Sequence, residues 1–243
     1  MAADRVPLYR KVKHSITELL RDGTWKHGQA IPSEPLLARR FHASIGTVRK
    51  AIDELAAEHV LVRQQGRGTF VSSHTKDYML NVFYQIVDRE GRKEFPESKL
   101  VSFARGRADL RTATRLGIRP GDAIYRIEAL LTLSGAPVIV DSIRLSAKLF
   151  PELTERIFAG RDTTIYGLFQ SRFGITVLRV DEVLSAVHAD ERVSAQLRLQ
   201  RPAPVLRIER TAYTYRDLAV DWRIRHVRTS NHGYLCQLGK RIP

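Results

Sequence analysis

The sequence predicts an α+β protein with two dissimilar domains. Two observations support this fold class. The first 71 residues combine three amphipathic helical segments with a short hairpin that contains glycine. A pattern of helix, turn and paired strands then occurs twice, with an offset of 81 residues. Because hairpins with helices between them are typical of antiparallel α+β domains, we expect that architecture for the second part of the chain.

The composition is that of an ordinary globular chain with an excess of basic residues. Of the 243 residues, 43% are hydrophobic and 27% are charged, which excludes wholesale disorder. The formal net charge of +14 favours a polyanionic partner, nucleic acid first and an anionic membrane second. Residues 1–75 hold 12 Lys and Arg against 7 Asp and Glu, and the remainder holds 28 against 19. Charge alone therefore does not locate the nucleic-acid site.

Several kinds of site and location are disfavoured. A single cysteine, Cys236, permits no internal disulfide and no cysteine-based zinc site. The eight histidines lack metal-ligand spacing, so we expect neither a metal nor a cofactor. The first residues have no apolar stretch of signal-peptide length, and no run approaches the roughly 20 apolar residues that span a bilayer. We expect a bacterial-style cytoplasmic protein.

The first domain begins with three predicted helices. Apolar residues at positions 12, 16, 19 and 20 define one face of a helix over about residues 8–22, which Gly23 ends. Ser33 is a candidate N-cap for a second helix, and Pro35 suits its first turn. Ser44 is a candidate N-cap for a third helix, whose apolar stripe runs to about residue 58. Two short helices joined by a tight turn are typical of a helix-turn-helix motif.

A predicted hairpin follows the third helix and completes a winged motif. Strands over residues 60–62 and 69–71 enclose a turn that contains Gly66, Arg67 and Gly68. The glycines let the backbone approach DNA, and the arginine can lie along a phosphate or in the minor groove. The first turn of the third helix can enter a major groove, where hydroxyls suit phosphate oxygens and Arg49 suits a guanine.

The segments "IPSEPLLARRF" and "SIGTVRKAIDELAAEHVLVRQQGRGTFV" resemble the winged helix-turn-helix of the GntR family of bacterial transcriptional regulators. The resemblance implies a homodimer that binds a short palindromic operator in double-stranded DNA. Two arginines that family members often place on DNA are replaced by Pro35 and Ile45, so a different operator sequence is expected. The candidate DNA-binding residues are Ser33, Arg39, Arg40, Ser44, Thr47, Arg49, Lys50, Gly66, Arg67 and Gly68.

The predicted domain boundaries follow from these motifs. Residues 1–74 form the DNA-binding domain, residues 75–97 a linker and entry segment with one strand over 78–86, and residues 98–243 the second domain. Within the second domain we expect helices over 108–116, 149–158, 164–173 and 190–197, and a strand over 177–187. Two hairpins turn near residues 134–137 and 216–218.

The second domain resembles the UTRA ligand-binding domain of the HutC-like GntR subfamily, which has a chorismate-lyase-like fold. The matching segments are "LGIRPGDAIYRIEALLTLSGAPVIVDS", "TTIYGLFQSRFGI" and "LRLQRPAPVLRIERTAYTYRDLAVDWRIRHVR". The resemblance implies that this domain dimerises and binds a small metabolite, the effector, which changes operator affinity. The effector-binding candidates that it implies are Ser98, Asp141, Thr164, Tyr166, Asp221 and Tyr234.

One departure from the family bears on the effector. Many members carry two arginines in the first hairpin, where this chain has Ala129 and Leu131. Arginines of this kind hold phosphate or carboxylate groups, so their loss disfavours a phosphosugar effector. Arg144, Arg223 or Arg225 can substitute for them. A core role without ligand contact also remains open for Asp141 and Tyr166.

These features together predict a dimeric DNA-binding repressor. Effector binding across the two hairpins is expected to reorient residues 72–80 and to change the spacing of the two DNA-binding heads. Two alternatives remain: an enzyme of chorismate-lyase-like fold, and a DNA-binding protein without ligand control. Catalysis is disfavoured because the motifs HExxH, GxxxxGK and GxSxG are absent from the sequence.

Overall fold

The computed structural model describes residues 6–237, and its contacts divide them into two units. The first unit ends at Ser73 and the second begins at His74. The outermost parts of the predicted domains, residues 1–5 and 238–243, lie outside the described residues. We call the first unit the head and the second the effector unit.

The head contains the three predicted helices, α1 (Leu8–Arg21), α2 (Glu34–Arg40) and α3 (Ile45–Ala57). Their apolar faces meet in a core in which Ile16, Leu37 and Val48 have no exposed surface. The N-cap prediction for Ser44 is confirmed, because its hydroxyl accepts a hydrogen bond of 3.1 Å from the Thr47 amide. Ser33 occupies the N-cap position of α2, but its side chain makes no capping hydrogen bond.

The predicted hairpin is confirmed as β1 (Leu61–Gln64) paired antiparallel with β2 (Gly68–Val71). The turn between them depends on Gly66 and Gly68, whose φ angles are +71° and +113°. Side chains rarely adopt such angles, so these positions favour glycine. The last strand of the hairpin leads directly to the chain connection between the two units.

The strand predicted over residues 78–86 is wrong. Residues 76–82 form α4 (Lys76–Val82), capped by the Thr75 hydroxyl, and only the following residues form β3 (Ile86–Asp88). The apolar residues Tyr78, Met79 and Val82 recur at helical spacing and pack against the core of the effector unit. Burial of that face explains why the segment is a packed helix of the effector unit.

A six-stranded antiparallel sheet forms the centre of the effector unit, in the order β4-β5-β6-β9-β8-β7. Its strands are β4 (Glu97–Arg107), β5 (Ala123–Leu133), β6 (Ala136–Ser146), β7 (Arg179–His188), β8 (Pro204–Tyr213) and β9 (Ala219–Arg228). A separate pair joins β3 to β10 (His232–Tyr234). The helices of this unit after α4 are α5 (Leu110–Leu116), α6 (Glu155–Ala159), α7 (Ile165–Phe173) and α8 (Glu191–Gln196).

The two copies of the sequence repeat form the two halves of this sheet. Each half runs strand, helix and hairpin: β4, α5 and β5-β6 in the first, β7, α8 and β8-β9 in the second. The halves meet where β6 pairs with β9. The sequence analysis did not predict β4, and it predicted a helix over residues 149–158 where only α6 is helical.

The two faces of the sheet carry different helices. Helices α5 and α8 cover one face, through small apolar clusters that include Trp222 and Val140. On the other face, which we call the cleft face, α7 packs with Ile127 and Ile143 in the largest aromatic cluster. Because successive side chains of a strand point to opposite faces, alternate residues of β6, β8 and β9 reach the cleft face.

Candidate functional site

The predicted DNA-reading turn of the head lies at the start of α3. Ser44, Arg49 and Lys50 are exposed there, and Thr47 is half-buried. The Ser44 and Thr47 hydroxyls are 2.8 Å apart, so each orients the other. Exposed hydroxyls and free amide groups at a helix N-terminus can bind phosphate oxygens. The turn therefore has the groups that a contact with the DNA backbone needs.

Two carboxylates, which the sequence analysis did not single out, hold arginines beside this turn. Glu34 accepts hydrogen bonds from Arg49 at 2.8 Å and from Arg63 at 3.0 Å. Arg63 also pairs with Asp53 at 2.7 Å. The Arg49 side chain is 60% exposed, so this ion pair is solvated and can exchange its carboxylate for a phosphate or a base. The network places Arg49 and Arg63 next to each other across α2, α3 and the hairpin.

The other predicted DNA contacts are also on the surface of the head. Lys50 lies 4.1 Å from the centre of the Tyr9 ring, and Arg67 lies near the Phe70 ring at the tip of the hairpin. The Arg40 guanidinium lies over the Trp25 ring, 5.6 Å from its centre. Ser33, Arg39, Gly66 and Gly68 are exposed. A cation above an aromatic ring keeps its charge available to solvent.

The effector unit contains a cavity of 530 Å³ on the cleft face of the sheet. That volume is typical of small-molecule sites. The wall is formed by α4, the loop before β4, the loop and first turn of α7, and the inner strands of the sheet. Its lining residues include Phe83, Tyr84, Ser98, Leu131, Asp141, Arg161, Thr164, Tyr166, Arg210, Arg223 and Arg225.

Of the nine effector-binding candidates from the sequence analysis, six line this cavity: Ser98, Asp141, Thr164, Tyr166, Arg223 and Arg225. The other three do not. Arg144 points to the opposite face of the sheet, beside Glu128, because it is one residue out of phase with the inward positions of β6. Asp221 is buried behind Arg223, which binds both its carboxylate oxygens. Tyr234 donates its hydroxyl to Glu182 outside the cavity.

Buried ion pairs form the floor of the cavity. Arg223 joins Asp221 to Asp141, and Arg225 also donates to Asp141 at 3.2 Å. Arg210 donates to Glu182 at 2.6 Å and to the carbonyl oxygen of Phe83. Breaking a buried pair by removing one partner leaves an uncompensated charge, so these groups depend on one another. The floor is therefore a fixed charged surface.

The charges of this floor shift the acid–base behaviour of its carboxylates. Burial alone would raise the pKa of Asp141, but attraction to Arg225 and Arg223 outweighs burial and lowers it. Burial alone would also raise the pKa of Glu182, but attraction to Arg210 and the hydrogen bond from Tyr234 outweigh burial and lower it. Both carboxylates are therefore ionised at neutral pH, and the cavity presents fixed charges to a ligand.

Two cavity arginines, Arg161 and Arg210, were missed in the sequence analysis. Arg161 lies in the loop between α6 and α7, where no periodic pattern marks it. Arg210 lies in β8 between the inward residues Ile208 and Ala212. A charged residue at an inward position of a strand was a signal that the sequence did contain.

The first turn of α7 is tied to the start of the effector unit. The Thr164 hydroxyl accepts a hydrogen bond from the Gly167 amide at 2.8 Å and donates one to the His74 carbonyl at 2.9 Å. The His74 amide donates to Gln170 at 3.0 Å. A β-carbon at residue 167 would lie 3.2 Å from the His74 carbonyl oxygen and would overlap the Thr163 hydroxyl. Glycine at this position therefore permits α7 to approach His74 closely. One wall of the cavity therefore holds His74.

Models of two protein families match the chain. The model for bacterial regulatory proteins of the gntR family matches residues 8–71, and the UTRA domain model matches residues 90–232. No helix among residues 6–237 is both long and apolar enough to cross a bilayer.

Curated relatives match along most of their length. The HTH-type transcriptional repressor NagR of Bacillus subtilis is 27% identical over 89% of this chain and 88% of the relative. The histidine utilization repressor of Pseudomonas putida is 26% identical over 93% of this chain and 90% of the relative.

Solved structures agree with these matches. The ligand-binding domain of a GntR-family regulator from Bordetella bronchiseptica has a TM-score of 0.62 and 28% identity, over 65% of this chain and 98% of that one. PhnF from Mycobacterium smegmatis shares the fold over 95% of this chain and all of its own, with 22% identity and a TM-score of 0.55. The chain thus belongs to the GntR family of bacterial regulators, in the subfamily with a UTRA domain, and is a DNA-binding transcriptional regulator and not an enzyme.

Proposed function

We propose that this protein is a homodimeric cytoplasmic repressor that binds a palindromic operator and releases it when a small-molecule effector occupies the 530 Å³ cavity. One observation carries the proposal: a wall of that cavity is hydrogen-bonded to His74, the first residue after the head. The repressor role is supported by relatives that are themselves repressors. The homodimer follows from the expected symmetry of the operator.

The chain connection between the units is short enough to transmit a movement. On the head side, the Ser72 hydroxyl donates to the His59 carbonyl at 2.6 Å, and its amide donates to the Val60 carbonyl. On the other side, His74 is held by Thr164 and Gln170. Only Ser73 lies between these two anchored residues. Residues 72–80 were expected from the sequence to reorient. The proposed hinge is a shorter segment centred on Ser73, because α4 is packed in the effector unit.

The proposed coupling acts through Thr164. A ligand that contacts the first turn of α7 shifts the Thr164 hydroxyl, and the hydroxyl carries that shift to the His74 carbonyl. The effector then favours a head orientation that differs from the one bound to DNA. A ligand changes an equilibrium only through a difference in affinity between two states, so both the cavity and the tie to His74 are required.

The DNA-contact roles of the predicted head residues are part of this proposal. Arg49 reads a base or a phosphate, Arg67 contacts the backbone from the hairpin tip, and Ser44 and Thr47 position α3. Their support is the exposure of Ser44, Arg49 and Arg67, and the hydrogen bond that holds Thr47 against Ser44 at the start of α3.

The proposal is tested by measuring operator affinity with and without an effector found in a thermal-shift screen of metabolites. We expect native protein to release labelled operator in fluorescence anisotropy. Thr164→Val keeps the side-chain volume but removes the hydroxyl that donates to His74 and accepts from Gly167, so operator release should be lost even at effector concentrations that saturate the variant. Thr163→Val, a neighbouring cavity residue, is the matched control and should keep the response. Effector binding that never changes operator affinity in the native protein would refute the proposal.

A further inference from the structure

The buried charges around the cavity do not balance. Four guanidinium groups and three carboxylates are buried or half-buried there: Arg161, Arg210, Arg223, Arg225, Asp141, Asp221 and Glu182, of which Arg161 and Glu182 are the half-buried ones. Each carboxylate is paired with at least one arginine of the floor. Three further charged lining residues, Lys76, Glu97 and Asp162, are exposed to solvent, which screens them. The desolvated part of the cavity therefore has one positive charge in excess.

The excess charge belongs to Arg161. Its guanidinium donates to the carbonyl of Phe158 and, at 3.1 Å, to the Ser98 hydroxyl, and it stacks 4.5 Å from the Phe158 ring. It makes no ion pair with any residue between 6 and 237, and its buried Nε atom has no hydrogen-bond partner there. Burial lowers the pKa of Arg161, the nearby Arg223 lowers it further, and attraction to Asp141 offsets only part of these two effects. An anion is the group that this environment lacks.

Three other buried polar atoms of the cavity, Asp141 Oδ1 and the hydroxyls of Tyr84 and Tyr166, also lack hydrogen-bond partners among the described residues. Asp141 uses only its Oδ2 atom for Arg223 and Arg225, so its Oδ1 atom accepts no hydrogen bond although the side chain is fully buried. The hydroxyl of Tyr84, which lines the same cavity, is likewise unpaired. Buried polar groups normally find partners, and an unpaired carboxylate oxygen requires a donor. This part of the cavity therefore calls for an O–H or N–H group.

We propose that the effector is a small organic acid with a single negative charge, such as a carboxylate, which also carries hydroxyl or amino groups. This inference rests on the proposed function, because it names the ligand of the same cavity. The acid binds the Arg161 guanidinium beside Ser98, and a hydroxyl or amino group donates to the Asp141 Oδ1 atom. One negative charge cancels the excess of one positive charge.

The same count disfavours two other ligand classes. A doubly charged phosphate would leave one negative charge without a buried partner. A neutral sugar would satisfy the Asp141 oxygen but leave the Arg161 guanidinium without an anion. An unpaired charge of either sign lowers the affinity for such a ligand, because charges interact more strongly at the low effective dielectric of a buried site.

The first experiment needs no ligand and uses the full-length protein. A half-buried guanidinium without an ion pair destabilises the empty protein, so Arg161→Gln should raise the melting temperature. Arg144→Gln is the matched control, because Arg144 is a partly buried arginine of the same unit that is paired with Glu128. It should leave the melting temperature unchanged or lower it. A lower melting temperature for the Arg161 variant than for the control would overturn the inference.

The second experiment measures binding of four probes by calorimetry at equal concentrations. Gluconate has one negative charge and several hydroxyls, glucitol has only the hydroxyls, hexanoate has only the charge, and glucitol 6-phosphate is doubly charged. We expect gluconate to bind at least tenfold more tightly than each of the others, and Arg161→Gln to reduce its affinity to that of glucitol. Three results would overturn the inference. They are tighter binding of any other probe than of gluconate, an equal gluconate affinity for Arg161→Gln and the native protein, and no binding of gluconate to the native protein.

The outcomes separate this inference from the function on which it rests. If a neutral or doubly charged metabolite binds the cavity and releases the operator, the proposed function stands and the ligand class is wrong. If gluconate-like acids bind through Arg161 but no such acid alters operator affinity, the ligand class stands and the proposed function is wrong.

Discussion

Arginine has different roles in the two units of this protein. In the head, Arg49 and Arg63 are largely exposed and share the carboxylate of Glu34. In the effector unit, Arg210 and Arg223 are each only 2% exposed and are fixed by buried carboxylates. An exposed ion pair costs little to exchange for a phosphate, whereas a buried pair must stay intact. The comparison indicates that burial, and not residue type, decides which arginines can bind a large, solvated polyanion.

The largest expected effect tests the buried side of this comparison. Arg223→Met should destabilise the protein by about 3–5 kcal/mol, because Asp221 and Asp141 remain buried without their shared cation. Urea denaturation followed by circular dichroism measures the loss. The exposed counterpart Arg49→Met should change stability by about 0.5 kcal/mol or less. Similar losses for both variants would contradict the distinction.

The second effect tests the exposed side. Arg49→Ala should weaken specific operator binding by about 1–3 kcal/mol, with relaxed sequence preference if Arg49 reads a base. Fluorescence anisotropy with labelled operator measures this affinity. Arg119→Ala, which removes a highly exposed arginine from the effector unit, is the control and should leave operator affinity unchanged. An unaltered affinity and footprint for the Arg49 variant would remove it from the DNA-binding surface.

A smaller effect is expected from the shared carboxylate of the head. Glu34→Gln keeps the side-chain shape but removes the charge that holds Arg49 and Arg63. Non-specific DNA affinity should rise, by about 1 kcal/mol or less, because two cations lose a competing anion. Binding to random-sequence DNA at several salt concentrations measures the change. Weaker non-specific binding would show that Glu34 supports the DNA surface more than it competes with it.

The last effect concerns acid stability. The pKa of Glu182 is lower in the folded protein than in the unfolded chain, where it is about 4.3. The ionised Glu182 side chain therefore stabilises the folded protein above about pH 4.3, and this stabilisation is lost as the pH falls through the pKa of the folded state. Unfolding free energy should therefore decrease below about pH 4, and less steeply in Glu182→Gln. Glu90→Gln, at an exposed position, is the control and should follow the native curve. Parallel curves for all three proteins would contradict the assignment.

The sequence predicted the head better than the effector unit, for a physical reason. The elements of the head are amphipathic helices with polar caps and a hairpin with glycines, and these signals are local. Residues 78–86 contain many aromatic and apolar side chains, which favour a strand, but burial against the sheet selects α4. Strand β4 is interrupted by a register shift between Leu100 and Ser102, which hides its alternation.

The candidate site was predicted in part. Resemblance to a family supplied Ser98, Asp141, Thr164 and Tyr166, which meet in the cavity only because distant segments fold together. Arg161 has no periodic context, so only the three-dimensional structure reveals it. From the sequence, Ala129 and Leu131 were expected to leave the first hairpin without cations for an anionic ligand, yet arginines enter the cavity from β8, β9 and a loop.

The repeat also explains how the effector unit is held together away from the cavity. Arg111 of α5 binds Glu209 of β8 at 2.7 Å, and Arg192 of α8 binds Glu128 of β5 at 2.8 Å. Both residues of one pair lie 81 positions from their counterparts in the other, so each half reaches across to the other half in the same way. Two identical subunits related by a two-fold axis make contacts of this reciprocal kind. The effector unit thus has the internal symmetry of a dimer of half-length chains joined into one polypeptide, in which Arg210 of one half stands at the position that Ala129 occupies in the other.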